Sequence, residues 1–273
     1  MGVLNCTPDS FSDGSTKLDV DALLTRAGEM LDAGAGLIDV GGESTRPNAK
    51  PVPVNQELER IIPIIKALSE KGVVVSVDTM KAEVMSQAVA AGASIVNDVS
   101  ALQFDENSVD VVAQTGVDVC LMHMQGTPQT MQERPHYDNV LSEVLSFFEQ
   151  RIEACVAAGV QTSSIILDPG IGFGKRLADN LTLIANLDKI KTCFDMPVLL
   201  GASRKSFLAA ITGADVTQRE VETAVASGIG IFCGADMIRV HDCAIHQKTT
   251  HIGSQLADMK ITSSCKEACD VLG

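Results

Sequence analysis

The chain has 273 residues, 45% of them hydrophobic, and a formal charge of −14 at pH 7. So acidic a molecule argues against a nucleic-acid groove or an anionic membrane surface as partner. No run approaches the roughly 20 apolar residues of a membrane helix, and the N-terminus lacks the basic start and apolar run of a signal peptide.

The elements alternate. "GVLNC" (2–6) predicts a strand ending at Asn5, followed by the polar loop "CTPDSFSDGS" around Phe11 and Asp13. "DVDALLTRAGEMLDAG" (19–34) has helical periodicity, and "GLIDVGG" (36–42) predicts the second strand. A second turn-rich loop, "GGESTRPNAKPVP", holds Thr45, Arg46 and Pro47 before the helical "NQELERIIPIIKALSEKG" (55–72). Strands then follow at 73–79 with Asp78, 94–100 with Asn97, and 118–124 with Met122 and His123. The sixth, 164–170, runs through Asp168 into "DPGIGFGK", the seventh, 197–203, ends at Ser203 just before Lys205, and the eighth is "MIRVHD" (237–242). Glycines stand where helices should stop: Gly34, Gly72, Gly92, Gly116 and Gly159.

Near-continuous apolar strands, each followed by a helix, predict a parallel sheet covered by helices. Eight such units with no linker or composition break predict a single-domain (β/α)8 barrel spanning 1–273, with long loops after strands one and two. An open doubly wound sheet is the competing architecture, and the absent GxGxxG after the first strand weighs against it. In a barrel the C-terminal strand ends form the catalytic face, so the polar strand ends converge on one rim. Two long loops above a barrel mouth read as lids. "DPGIGFGK" is no Walker motif, because its Lys175 spacing is wrong and no Ser or Thr follows. Its glycines admit close backbone approach, and Phe173 offers a flat face to a planar ring.

The eighth strand sets a question. Arg239 and His241 stand two residues apart and share a face. Burying a guanidinium without an anion is costly, so this strand end predicts an anion. The eight cysteines are scattered; the closest pair, Cys265 and Cys269, has no His nearby, which argues against zinc and for a reducing cytoplasm.

The motifs "GVLNCTPDSFSDG", "GGESTRP", "VSVDT", "VNDVS", "LMHMQGTP", "DPGIGFGK", "SRKSF" and "IRVHD" together resemble the dihydropteroate synthases, the folate-pathway family that sulfonamides inhibit. The resemblance implies a (β/α)8 barrel that joins 4-aminobenzoate to 6-hydroxymethyl-7,8-dihydropterin diphosphate. It implies that Asn5, Arg46, Arg239 and His241 hold the diphosphate, with Mg²⁺ bridging Asn5 and phosphate oxygens. Asp78, Asn97, Met122, Asp168, Phe173 and Lys205 would hold the pterin, and Phe11, Thr45, Pro47, Phe173 and Ser203 the aminobenzoate. Asp13, Arg46, Lys205, Arg239 and His241 would act in catalysis, and a homodimer is expected from the resemblance alone. Two departures stand out: Met1 falls almost on the first strand, where the family has a short lead, and Ser15 replaces a second Gly after "SDG". A corrinoid methyltransferase domain or a catalytically silent pterin-binding protein are the rival readings. The first has no diphosphate to bind, and intact Asn5, Asp13, Arg46 and Lys205 argue against the second.

Overall fold

The computed structural model describes residues 1–7, 19–45 and 49–270, with side chains as far as residue 259. Six parallel strands pair in chain order: β1 (Gly2–Asn5), β2 (Ile38–Gly41), β3 (Val75–Asp78), β4 (Ile95–Asp98), β5 (Asp118–Met122) and β6 (Ile165–Asp168). β7 (Leu199–Leu200) and β8 (Met237–Ile238) pair with each other. Parallel bridges Leu167↔Val198 and Gly2↔Val240 join the two sheets at both edges. Backbone hydrogen bonds seal the joints: Leu167 N–H to Pro197 O at 2.9 Å, and Val3 N–H to Val240 O at 2.9 Å. The ring is therefore closed, as the barrel reading requires, and the open-sheet alternative fails.

Strand parity divides the side chains into two cores. Leu4, Ile38, Val40, Val75, Val77, Val96, Val119, Leu121, Ile165 and Leu167 face outward into the main hydrophobic core beneath the helices. Residues of the other parity face the barrel axis, where Cys120, Ile166 and Leu199 form a small separate apolar cluster. Above that cluster the interior turns polar, with Asp39, Ser76, Asp78, Asn97 and Asp168 all buried.

The helices are α1 (Val20–Asp32), α2 (Val54–Ser69), α3 (Ala82–Ala90), α4 (Ser108–Thr115), α5 (Val140–Ala157), α6 (Leu177–Ala185), α7 (Leu187–Phe194), α8 (Ser206–Thr212), α9 (Glu220–Phe232) and α10 (Cys243–Asp270). Asp19 caps α1 by accepting the Ala22 N–H at 3.0 Å. All five glycines expected to end helices have positive φ. At Gly92 space matters as well, since a Cβ would lie 2.1 Å from Ser69 Oγ.

Two expectations need correction. The paired strands are shorter than the apolar spans suggested, β7 and β8 most of all: Asn5, Asp78, Asn97 and Asp168 keep their places in the ladder, whereas His123, Ser203, Arg239 and His241 lie just beyond it. The rule of one helix per unit also breaks twice. α6 and α7 are separated at Asn186, whose φ of −126° leaves the helical region, and α8 and α9 both lie between β7 and β8. At the N-terminal end of the strands, a cavity of about 750 Å³ lies between Met1, Gly34, Ala35 and α10.

Candidate active site

Strand register aligns the polar residues. Asn5 pairs with Gly41, Gly41 with Asp78, and Asp78 with Asn97, so four consecutive strands present these positions at one level and on one face. Met122 pairs with Asp168 in the same way.

Arg239 enters this level from β8. Its Nε donates to Asp39 Oδ2 at 2.6 Å and its terminal nitrogen to Asp78 Oδ2 at 2.6 Å. Asn97 Nδ2 also donates to Asp39 Oδ2, at 3.1 Å. The anion that the eighth strand calls for is thus supplied first by the protein itself, as two buried carboxylates. Sequence reasoning missed Asp39, although a signal was present. In "GLIDVGG" Asp39 shares the parity of Gly41, the inward one, while Ile38 and Val40 point to the helices. Burial pushes the Asp78 carboxyl up to about 7 even though Arg239 opposes the rise. The guanidinium of Arg239 is pulled down by its own burial but held above its ordinary value by Asp39 and Asp78.

A second charged pair lies across β6 and β7. Asp168 is buried, accepts the Gly170 N–H at 2.7 Å on Oδ1, and has its pKa raised by that burial against the pull of Lys205. Arg204 takes φ +57°, a left-handed turn unusual for a side chain of its size, and its N–H donates to Thr223 Oγ1 at 3.1 Å. The chain leaves that turn with Lys205 directed inward, where its Nζ donates to Ile171 O and stands 4.6 Å from the centre of the Phe173 ring. Burial lowers the Lys205 ammonium to about 8, with Asp168 opposing. A Cβ at Gly201 would sit 3.6 Å from both Asp168 Oδ2 and Lys205 Nζ, so the glycine keeps open the space beside both groups.

His241 and Ser203 meet directly, with Nδ1 and Oγ 2.8 Å apart, and the His241 backbone N–H reaches the same oxygen at 3.3 Å. Thr45 is half-buried at the edge of the described β2 loop. The lower part of that loop is fixed by Lys81, which donates to Glu43, to the fully buried Glu57 and to Val52 O. Phe11, Asp13, Arg46 and Pro47 lie outside the described residues. His123 turns away from the rim: its Nδ1 stands 2.9 Å from Lys175 Nζ, and its ring packs edge-on against Phe147 at 4.8 Å.

The arrangement is a ring of polar groups above a closed apolar floor, with donors and acceptors suited to a flat heterocycle and cations suited to an anion. Residues 1–241 match the family model for pterin-binding enzymes. Dihydropteroate synthase from Escherichia coli K12 is 44% identical over 89% of this chain and 86% of its own length. The chain belongs to the dihydropteroate synthase family. The solved structure of the Yersinia pestis family member with a sulfonamide drug superposes with a TM-score of 0.88, at 44% identity, over 93% of this chain and 92% of that one. A Xanthomonas albilineans dihydropteroate synthase with 4-aminobenzoic acid gives a TM-score of 0.86, at 43% identity, over 92% and 90%. Family membership makes this chain a pterin-binding transferase, and no helix among its described residues is long and apolar enough to cross a membrane.

Proposed function

We propose that this chain condenses 6-hydroxymethyl-7,8-dihydropterin diphosphate with 4-aminobenzoate, giving 7,8-dihydropteroate and pyrophosphate. The observation that carries the reading is the joint placement of Asp168, Lys205 and Phe173 around one open space beside Gly201. A carboxylate only accepts, so Asp168 takes the 2-amino and N3 hydrogens of the pterin. Lys205 donates to the acceptor edge, Phe173 covers the ring, and Asn97, Asp78 and Met122 line the remaining wall. Ser203, Thr45, Phe173, Phe11 and Pro47 receive the aminobenzoate, with Ser203 near its carboxylate.

The diphosphate lies against Asn5, Arg46, Arg239 and His241. Arg239 spends Nε and one terminal nitrogen on Asp39 and Asp78, which leaves its other terminal nitrogen for a phosphate oxygen. Ser203 Oγ already accepts a backbone N–H, so giving its own hydrogen to His241 Nδ1 leaves the ring proton on Nε2 as a donor. Asn5 offers an amide oxygen that has no hydrogen-bond partner among the described residues, a hard ligand fit for Mg²⁺. No cluster of three or more His, Cys, Asp or Glu capable of holding a metal occurs among the described residues. Asn5 would hold the ion, and bound Mg²⁺ would supply charge neutralisation on the leaving group.

The reaction needs no protein nucleophile. The bond from C9 to the diphosphate oxygen breaks with its electron pair leaving on pyrophosphate, and the pterin delocalises the cation that remains. The arylamine nitrogen then bonds to C9 and loses a proton to water. Arg239, His241 and Arg46 stabilise the growing phosphate charge, and Asp13 the cation. The whole chain acts as one pterin-binding domain in a reducing cytoplasm, in keeping with six free cysteines among the described residues. A homodimer through α9 and α10 is supported by an apolar surface. Val221, Val225 and Ile229 of α9 are 66%, 58% and 51% exposed, and Ile252 and Leu256 of α10 are 62% and 54% exposed.

Pyrophosphate release, measured with and without 4-aminobenzoate, tests the reading. Release that depends on the amine supports it, whereas pterin binding without turnover supports the silent binder. Methyl transfer from a methylated folate with no pyrophosphate would point to the methyltransferase.

A further inference from the structure

The loop from Gly170 to Gly174 alternates glycines with φ of +67°, +83° and +63°, which turns its carbonyls toward surrounding side chains. Each of those five carbonyls is met by a side-chain donor. Lys175 Nζ reaches Gly170 O at 2.9 Å and Phe173 O at 3.1 Å, and Lys205 reaches Ile171 O. Gln132 Nε2 reaches Gly172 O at 2.6 Å and the Tyr137 hydroxyl reaches Gly174 O at 2.8 Å. The loop also presses directly on the chain after β5, since a Cβ at Gly170 would fall 1.9 Å from His123 O and one at Gly174 would fall 2.6 Å from Gln125 O.

Lys175 joins the two loops. Besides the β6-loop carbonyls, its Nζ contacts both His123 Nδ1 at 2.9 Å and His123 O at 3.2 Å, and the residue is only 4% exposed. An ammonium has three hydrogens for these four acceptors, so at least one hydrogen is shared, and in that charged form the Nδ1 at 2.9 Å is an acceptor with the ring proton of His123 on Nε2. An apolar residue filling this volume would leave the carbonyls of His123 and Phe173 without this donor, while Gly170 O keeps the Phe173 N–H at 3.0 Å.

We propose that Lys175 is a positioning residue: by tying the carbonyls of Gly170 and Phe173 to His123 at the end of β5, it sets the Phe173 ring and the Asp168 carboxylate for the pterin. This rests on the reading of Asp168 and Phe173 as ring-binding groups. The electrostatics agree. Burial, aided by Lys175, pushes His123 down to about 3, so its ring is neutral and free to accept. Burial also brings Lys175 down to about 7, while Asp168 and Asp179 oppose and Lys205 adds to the fall.

The test is Lys175→Met in the full chain, with two readouts. Calorimetry with 6-hydroxymethyl-7,8-dihydropterin should show affinity reduced by about 10- to 100-fold, the expected effect of buried acceptors left unsatisfied. Amide hydrogen exchange, without ligand, should quicken across 170–174 and stay unchanged in β1 to β4. Affinity within about twofold of wild type, or unchanged exchange in that loop, overturns the proposal. If Lys175→Met does not fold, His123→Phe decides. It keeps the aromatic packing and removes one Nζ contact, and it should weaken ring binding and quicken the same amides to a smaller degree. A folded His123→Phe protein with both readouts at wild-type values overturns the proposal. Should the wild-type protein bind no pterin, the functional reading fails, and the exchange readout alone still decides the role of Lys175 as a clamp.

Discussion

Arg239→Met offers the sharpest test of how this site is built. The guanidinium is shared by Asp39, which is fully buried, and Asp78, which is 7% exposed. Removing one partner of a buried ion pair costs about 3–5 kcal/mol, because it strands a charge that water no longer reaches. Part of that cost is recovered by protonation, since Asp78 already sits at about 7 with Arg239 in place and rises further without it. We expect a loss of about 2–4 kcal/mol in urea unfolding at pH 8. A smaller loss is expected at pH 5.5, where protonation relieves the stranded carboxylate. Adding Asp78→Asn should restore part of the loss, a coupling that a double-mutant cycle measures directly. Function should follow in two ways. Turnover falls because a phosphate contact is lost, and ring affinity falls because a protonated Asp78 turns a donor toward the pocket. Sequence reasoning, which assigns Arg239 to the diphosphate, expects the first effect to be far larger than the second. A loss below about 1 kcal/mol that Asp78→Asn leaves unchanged would refute the shared-carboxylate account.

Asp168→Asn should lower pterin affinity by at least about tenfold while leaving the melting temperature nearly unchanged, as the amide sets a donor against ring donors; calorimetry and thermal melts measure both. Burial raises the Asp98 carboxyl from 3.8 to about 6, so the folded state binds its proton more tightly than the unfolded state. The stability it contributes is complete below pH 3.8 and is lost as pH rises through about 6. A gap of about 2 in pKa corresponds to about 3 kcal/mol, and Asp98→Asn should flatten the pH slope of urea unfolding in that window by a comparable amount. An unchanged slope would place the proton uptake elsewhere. Val225→Lys, at an exposed apolar position of α9, should shift sedimentation from dimer to monomer without loss of fold. A wild-type monomer at micromolar concentration would remove the dimer from the proposed function.

Much of the architecture follows from the sequence because it rests on local periodicity. Alternating parity distinguishes Val40 from Asp39 and Val77 from Asp78, and apolar strand spans followed by amphipathic helices specify a parallel sheet with covered faces. The polar strand ends, Asn5, Asp78, Asn97, Asp168, Ser203 and Arg239, were legible for the same reason. They break an apolar pattern at the same point in successive units. Pairing across the barrel was not legible. Arg239 meets Asp39 across 200 positions of chain and Asp78 across 161, and only ring closure decides which buried carboxylates lie within reach. In the sequence Lys175 served only to exclude a Walker motif by its spacing, yet its side-chain nitrogen ends among carbonyls of two loops. Sequence periodicity tells which way a side chain points. What stands there to receive it depends on strands that are distant in the chain, so its partners, and with them its charge, were decided by the closed barrel.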